Sequence, residues 1–116
     1  MIDADSTVLE IRTYRLKPGT ADDFHRVVTA TVPLLRQYGI TVVRWGPSER
    51  AEDGHDEYVL IRSFDSVESR DEQEERFYGG ADWRDGPRND VLSRIETYHT
   101  IVLSVPGDAV TALART

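Results

Sequence analysis

Between Val8 and Leu16, Leu9, Ile11 and Thr13 fall on one side of an extended backbone, and Val8, Glu10, Arg12, Tyr14 and Leu16 fall on the other. Side chains in a strand change face at every step, so the spacing predicts a strand with two differently composed faces. Lys17-Pro18-Gly19 then breaks the pattern. Thr20, with Asp22 and Asp23, supplies an N-cap and an acidic first turn, which suits the positive end of a helix. Within that helix Phe24, Val27, Val28, Thr31, Leu35 and Tyr38 form one stripe, the pattern of a helix packed on a sheet. Pro33 is expected to kink or divide it, and Gly39 to end it as a C′ residue.

Two β-rich runs, Ile40 to Gly46 and Tyr58 to Phe64, flank a polar stretch from Pro47 to Glu57 that contains Asp53-Gly54, the layout of a hairpin with a long tip. Asp65 and Glu68 have capping-box spacing and open a charge-dense segment through Arg76. Its helix has little apolar surface beyond Val67, Phe77 and Tyr78, and Gly79-Gly80 closes it. Trp83 to Arg94 reads as irregular or short helical, with Val91, Leu92 and Ile95 as its apolar contacts. Ile95 to Val105 is a last strand rich in β-branched residues, stopped by Pro106-Gly107. The final nine residues are either a loose tail or a short helix.

The order strand, helix, strand, strand, helix, strand predicts an α+β, ferredoxin-like βαββαβ fold. Its four-stranded antiparallel sheet would carry both helices on one face. At 116 residues the chain has room for one domain, with a core over about 7–105 and a tail over 106–116. The opposite sheet face then needs a cover, because bare strands bearing Val, Tyr, Phe and Trp aggregate. The chain supplies none, unless the tail does so in part, and pairing two sheets across a two-fold axis supplies one. A homodimer enclosing a pocket is therefore expected.

Hydrophobic residues at 39% and charged residues at 30% exclude disordered and fibrous classes. No apolar run approaches the ~20 residues of a membrane-spanning helix. Met-Ile-Asp-Ala-Asp at the start lacks a signal-peptide pattern, so the expected location is cytoplasmic. Without cysteine there is no disulfide framework, iron–sulfur cluster or thiolate nucleophile. The net charge of −7 argues against nucleic acid and anionic membranes as partners. Only Lys17 among the 14 basic residues is lysine, a coding bias rather than a sign of thirteen anion sites.

The run Leu9-Glu10-Ile11-Arg12-Thr13-Tyr14-Arg15-Leu16-Lys17-Pro18-Gly19 resembles the first strand and turn of NIPSNAP-domain proteins. Pro33-Leu34-Leu35-Arg36-Gln37-Tyr38-Gly39-Ile40 and Ala81-Asp82-Trp83 are similar to two further stretches of that family. The likeness spans Val8 to Val105, and it is looser over the polar tip and the second helix. It implies a dimeric α+β barrel with a cavity. Such barrels include cofactor-independent monooxygenases acting on aromatic polyketides, haem-degrading enzymes, isomerases and cyclases, and proteins without known chemistry.

Several residues are candidates for chemistry. Glu10, Arg12 and Tyr14 share a face of the first strand, expected to point away from the helices into the barrel, where they would bind a polar substrate or shift a pKa. The plainer reading is a structural cross-strand network. The three histidines, His25, His55 and His99, lack metal-site spacing, so no metal and no cofactor are expected. His25 and His55 read as surface and turn residues. His99, inside the last strand, is a candidate general base or axial haem ligand if it points inward. Arg44 and Arg62 would form an anion-binding wall, or Arg62 would pair with Glu10. Tyr78 and Trp83 would roof a cavity for a flat ligand, or belong to the core. The acidic helix, Glu68 to Glu75, reads as a solvated face without a catalytic part. Motifs of serine hydrolases, P-loops and dinucleotide folds are absent from the sequence.

These residues predict a small-molecule-binding barrel for a small, partly apolar, polyketide-like substrate, with the reaction type left open: a cofactor-independent monooxygenase, isomerase or cyclase using Tyr14 or His99 as acid or base and Arg12 to stabilise negative charge. The alternative is a non-catalytic binding or assembly module of the same fold.

Overall fold

A computed structural model describes residues 6–51 and 53–115. Along the chain run β1 (Ser6–Leu16), α1 (Ala21–Gln37), β2 (Thr41–Pro47), β3 (Glu57–Phe64), α2 (Val67–Tyr78), α3 (Ala81–Arg84), α4 (Arg88–Leu92), β4 (Ile95–Pro106) and α5 (Gly107–Ala114). The strands form an antiparallel sheet in the order β2-β3-β1-β4, the ferredoxin-like arrangement. No helix among the described residues is long and apolar enough to cross a membrane.

Local sequence explains most of the boundaries. The turn after β1 is pinned where Leu16 N–H donates to Asp56 O and Lys17 N–H to Arg94 O, both at 2.9 Å. Thr20 occupies the N-cap position of α1, but its hydroxyl donates back to Lys17 O at 2.7 Å instead of capping. Pro33 neither divides nor ends α1. It lies on the exposed side, where the missing N–H costs no buried partner. Gly39 has φ of +80°, a left-handed turn that a side chain would strain. Ser66, not Asp65, caps α2, its Oγ accepting from Ser69 N–H at 3.0 Å.

The dry core lies between the sheet and α1. Phe24, Val28, Val32 and Leu35 are buried against Tyr14, Leu16, Val42, Tyr58, Leu60 and Phe64. Each such side chain contributes roughly 1.5–3 kcal/mol on leaving water. Phe24 sits edge-on to Tyr14 and Tyr58, with ring centroids 5.2 and 4.9 Å away.

One expectation is corrected by the sheet. Val8, Glu10, Arg12, Tyr14 and Leu16 face the helices, and Leu9, Ile11 and Thr13 face outward. The reason is that α2 offers charge where α1 offers hydrocarbon, so the polar face of β1 finds its partners there. The outer face is covered in part by the tail, as the sequence allows. The C-terminal segment folds as α5 and contacts β1, β2 and β4, and Leu9 and Val43 are buried. Arg44 holds α5 by donating to Leu113 O at 3.2 Å and Arg115 O at 2.8 Å. Beyond α5 the outer face stays open, with Ile101 at 54% and Leu103 at 40% exposure.

Candidate functional site

At the end of the inner sheet face not filled by α1, charged side chains converge from β1, β3 and α2. Antiparallel register sets Glu10 opposite Arg62, and both are fully buried. Arg62 Nε donates to Glu10 Oε1 at 2.7 Å, Nη1 to the Tyr78 hydroxyl at 2.7 Å, and Nη2 to Glu74 Oε1 at 3.3 Å. Arg12 donates from Nε to Thr100 Oγ1 at 3.0 Å, from Nη1 to Tyr78 Oη at 3.3 Å, and from Nη2 to Glu74 Oε1 at 3.1 Å. Arg70 Nε donates to Glu10 Oε2 at 2.8 Å, while Nη1 pairs at the surface with Asp71. Helical spacing of four puts Arg70, Glu74 and Tyr78 on one side of α2.

The two carboxyls divide the protonation between them. Burial alone would raise Glu10, but the hydrogen bond with Glu74 and the charges of Arg62, Arg12 and Arg70 outweigh it and hold Glu10 down to about 2. Burial, reinforced by the neighbouring Glu10 carboxylate, pushes Glu74 up to about 7 against the pull of Arg62 and Arg12. The atoms agree with that division. Glu74 Oε2 lies 2.9 Å from Arg70 Nε, yet the single N–H there is aimed at Glu10, so no donor reaches the buried Oε2, and a proton on Glu74 is the one shared with the Glu10 carboxylate. The contact with Arg70 is a charge contact only, and Oε2 is where a proton costs least.

Beside this network lies a cavity of about 280 Å³, bordered by Arg12, Glu74 and Tyr78 at its polar end and by Tyr14, Trp83, Val91, Leu92, Ile95 and Tyr98 elsewhere. Its volume is near the lower end of small-molecule sites. Trp83 is buried edge-on to Tyr78, centroids 5.1 Å apart, which gives the cavity a flat aromatic wall. Tyr98, 63% exposed, stacks over the Arg12 guanidinium at 5.6 Å at the edge strand. The Tyr14 hydroxyl is raised above its usual range, first by burial, and so stays protonated at neutral pH.

Of the residues singled out by sequence, Arg12, Tyr14, Tyr78 and Trp83 line this cavity, with Glu10 and Arg62 directly behind it. His99 does not join them. It is paired with Thr13 on the outer face, so it is not placed as a base or axial ligand for the cavity, and Tyr98 occupies the inward position. Arg44 lies on the outer face with α5. His55 is near Glu96 in the hairpin tip, at 3.8 Å. His25 is exposed on α1, yet its Nδ1 lies 2.6 Å from the Tyr58 hydroxyl. Glu74, Arg70 and Tyr98 were missed, and reading α2 as a solvated face is corrected by the burial of Glu74. The available signal was the spacing of Arg70, Glu74 and Tyr78 combined with too little hydrocarbon for ordinary packing. Among the described residues no group of three or more His, Asp or Glu has the geometry to hold a metal.

The sheet order, with α1 and α2 on its inner face and a cavity beside them, defines a ferredoxin-like α+β protein. Residues 9–105 match the NIPSNAP family, and the chain belongs to it. No curated protein matches the chain. Among solved structures, it is similar to a NIPSNAP family protein of unknown function from Agrobacterium tumefaciens, at 23% identity and a TM-score of 0.75, covering 90% of this chain and 92% of that one. It is similar to an uncharacterized NIPSNAP domain protein from Burkholderia xenovorans at 20% identity and a TM-score of 0.73, covering 85% and 93%. A more distant likeness joins it to SnoaB, a cofactor-independent oxygenase from Streptomyces nogalater, at 14% identity and a TM-score of 0.59, covering 86% and 92%. At these identities the likenesses show the fold.

Proposed function

We propose that the cavity takes a small, flat, partly apolar molecule bearing an acidic C–H or O–H, and moves a proton from it without a cofactor. The observation that carries this reading is the Glu10–Glu74 carboxyl pair, with Glu74 poised near neutrality at the cavity wall beside Arg12 and Tyr78. Glu74 accepts the proton, and Arg12 and the Tyr78 hydroxyl stabilise the negative charge left on the substrate oxygen. Tyr14, Trp83 and Tyr98 hold the flat body of the molecule. A carbanion so formed can tautomerise, close a ring or reduce dioxygen, so isomerase, cyclase and monooxygenase chemistry share this first step. The likeness to an oxygenase that needs no cofactor supports the same reading.

The experiment uses anthrone, a flat enolisable ketone, with turnover followed by absorbance and oxygen uptake. Saturable turnover that falls at least ~100-fold in kcat/KM in Glu74→Gln, the usual scale for a lost acid–base group, supports the reading. Turnover that is unaffected by Glu74→Gln and Tyr78→Phe overturns it.

A second reading is a binding or assembly module without chemistry. The complete burial and pairing of Glu10 and Arg62 favours it, and saturable binding of the probe without turnover is its signature. Under both readings the chain works as a homodimer joined through the outer sheet face. The exposed Ile101 and Leu103 support that assembly, and sedimentation at micromolar concentration tests it.

A further inference from the structure

Resting on the reading of the cavity as a proton-transfer site, we infer that it binds its ligand as a flat aromatic oxyanion, held by Arg12 and Tyr78 and accompanied by one proton on Glu74. The class is an aryl carboxylate or its enolate equivalent.

Unspent donors at the polar end carry the argument. The Tyr78 oxygen accepts from Arg12 Nη1 at 3.3 Å and from Arg62 Nη1 at 2.7 Å. Guanidinium groups only donate, so the Tyr78 O–H proton has no acceptor in either neighbour. Among the described residues nothing else takes it. Arg12 uses Nε and one N–H on each Nη for Thr100, Tyr78 and Glu74. A guanidinium has five N–H groups, so one on each Nη remains, on a side chain that borders the cavity. A phenolic O–H and two guanidinium N–H groups together suit the oxygens of a carboxylate or enolate. Above them, Arg12 lies within 5.8 Å of the Tyr78 ring centroid and 5.6 Å of that of Tyr98, and Trp83 adds a flat wall, so the body attached to the oxyanion is planar.

Charge fixes the proton. Glu74 faces Glu10 and Arg12 on β1, Arg62 on β3, and Arg70 and Tyr78 on its own helix. Asp71 offsets Arg70 at the surface. With Glu74 ionised, the remaining buried charges of Glu10, Arg12, Arg62 and Glu74 cancel, and the cavity has no excess to offer an anion. Protonating the orphaned Oε2 leaves one uncompensated positive charge beside Arg12. Proton transfer from a neutral enolisable substrate arrives at the same state, an oxyanion beside protonated Glu74. A ligand that enters already ionised must collect its proton from solvent.

Calorimetry with 2-naphthoate, and with the neutral 2-naphthamide as its match in shape, tests this in two buffers of different ionisation enthalpy. At pH 6 naphthoate is expected to bind about tenfold more tightly than the amide, the scale of one charge-assisted contact. Above pH 7 its affinity falls towards tenfold per pH unit, with close to one proton taken up per ligand at pH 8, as linkage requires. In Glu74→Gln, checked for folding by circular dichroism, affinity becomes independent of pH and uptake vanishes. Equal binding of the amide, no proton uptake by the wild-type protein at pH 8, or persistent pH dependence in Glu74→Gln overturns the inference. Turnover of anthrone without oxyanion preference defeats this inference alone, whereas proton-linked naphthoate binding without turnover defeats only the catalytic reading.

Discussion

The inner face of one sheet is built in two opposite ways. Under α1 it is dry, and Phe24, Val28, Val32 and Leu35 meet Tyr58, Leu60 and Leu16 through hydrocarbon. Under α2, a few residues along the same strands, Glu10 and Arg62 are equally inaccessible, but they meet Glu74, Arg70 and Tyr78 through charge. Both halves exclude water from the sheet, and only one does so at low cost. Taking several ions out of water demands near-complete pairing, and a network of this kind is often no more stable than apolar residues of equal size. What the charged half adds is a polar end for the cavity. The difference teaches that burial marks the core in one half and the site in the other, and that the two are told apart by which atoms are left without partners.

The largest effect should come from breaking the charged half. Arg62→Met leaves Glu10 and Glu74 facing each other with weaker compensation, and a loss of about 3–5 kcal/mol in urea denaturation is expected. Replacing Glu10 by Leu as well should recover most of that loss, since no uncompensated charge then remains. Leu60→Ala in the dry half should cost about 2–5 kcal/mol, and no second substitution among its polar neighbours should restore it. A double variant as unstable as the sum of its parts would remove the distinction between the halves.

The same distinction decides what the sequence showed. Gly39 marks a left-handed turn, and alternation in β1, the stripe of α1 and the two runs of the hairpin all express hydrocarbon burial, which has a period that can be read. The charged half has none. Arg70, Glu74 and Tyr78 recur every fourth residue on α2, but a search for apolar spacing passes over a buried face made of charge. Which face of β1 meets the helices was misread for a related reason: Leu9 and Ile11 are the more apolar pair, yet Glu10 and Arg12 find their counter-charges on α2. The spacing alone leaves the orientation of His99 open, because parity along β4 depends on register. The pairing of β4 with β1 shifts between Arg15 and Leu16, and a slip of one residue reverses every side chain.

An intermediate effect is expected from pH. Glu10 is held down to about 2, so its contribution is present above the ordinary carboxylate range near 4.5 and is lost as pH falls towards 2. Glu74 is pushed up to about 7, so the folded state holds a proton there that the unfolded chain has released. Its contribution is therefore present below about 4.5 and is lost as pH rises towards 7. Together the two place a maximum of stability near pH 4–5, with limbs of up to roughly 1.4 kcal/mol per pH unit, the limit for one proton. Thermal melts from pH 3 to pH 8 check this, and Glu74→Gln should flatten the limb above pH 4.5. A wild-type stability that climbs steadily from pH 4.5 to 7 would show that Glu74 is ionised throughout.

The smallest effect on chemistry should come from the outer face, where neither half of that contrast applies. His99 is exposed and paired with Thr13 on the side of the sheet away from the cavity, so His99→Ala should change stability by no more than about 0.5 kcal/mol and leave turnover of anthrone as it was. Ile101, on the same face and 54% exposed, is expected to matter for assembly. Ile101→Arg sets a charge into the proposed contact between copies, and sedimentation at micromolar concentration should show the expected dimer giving way to monomer. A wild-type protein that already sediments as a monomer would remove the assembly from this face. A large loss of turnover in His99→Ala, with the fold intact, would move the chemistry out of the cavity and across the sheet.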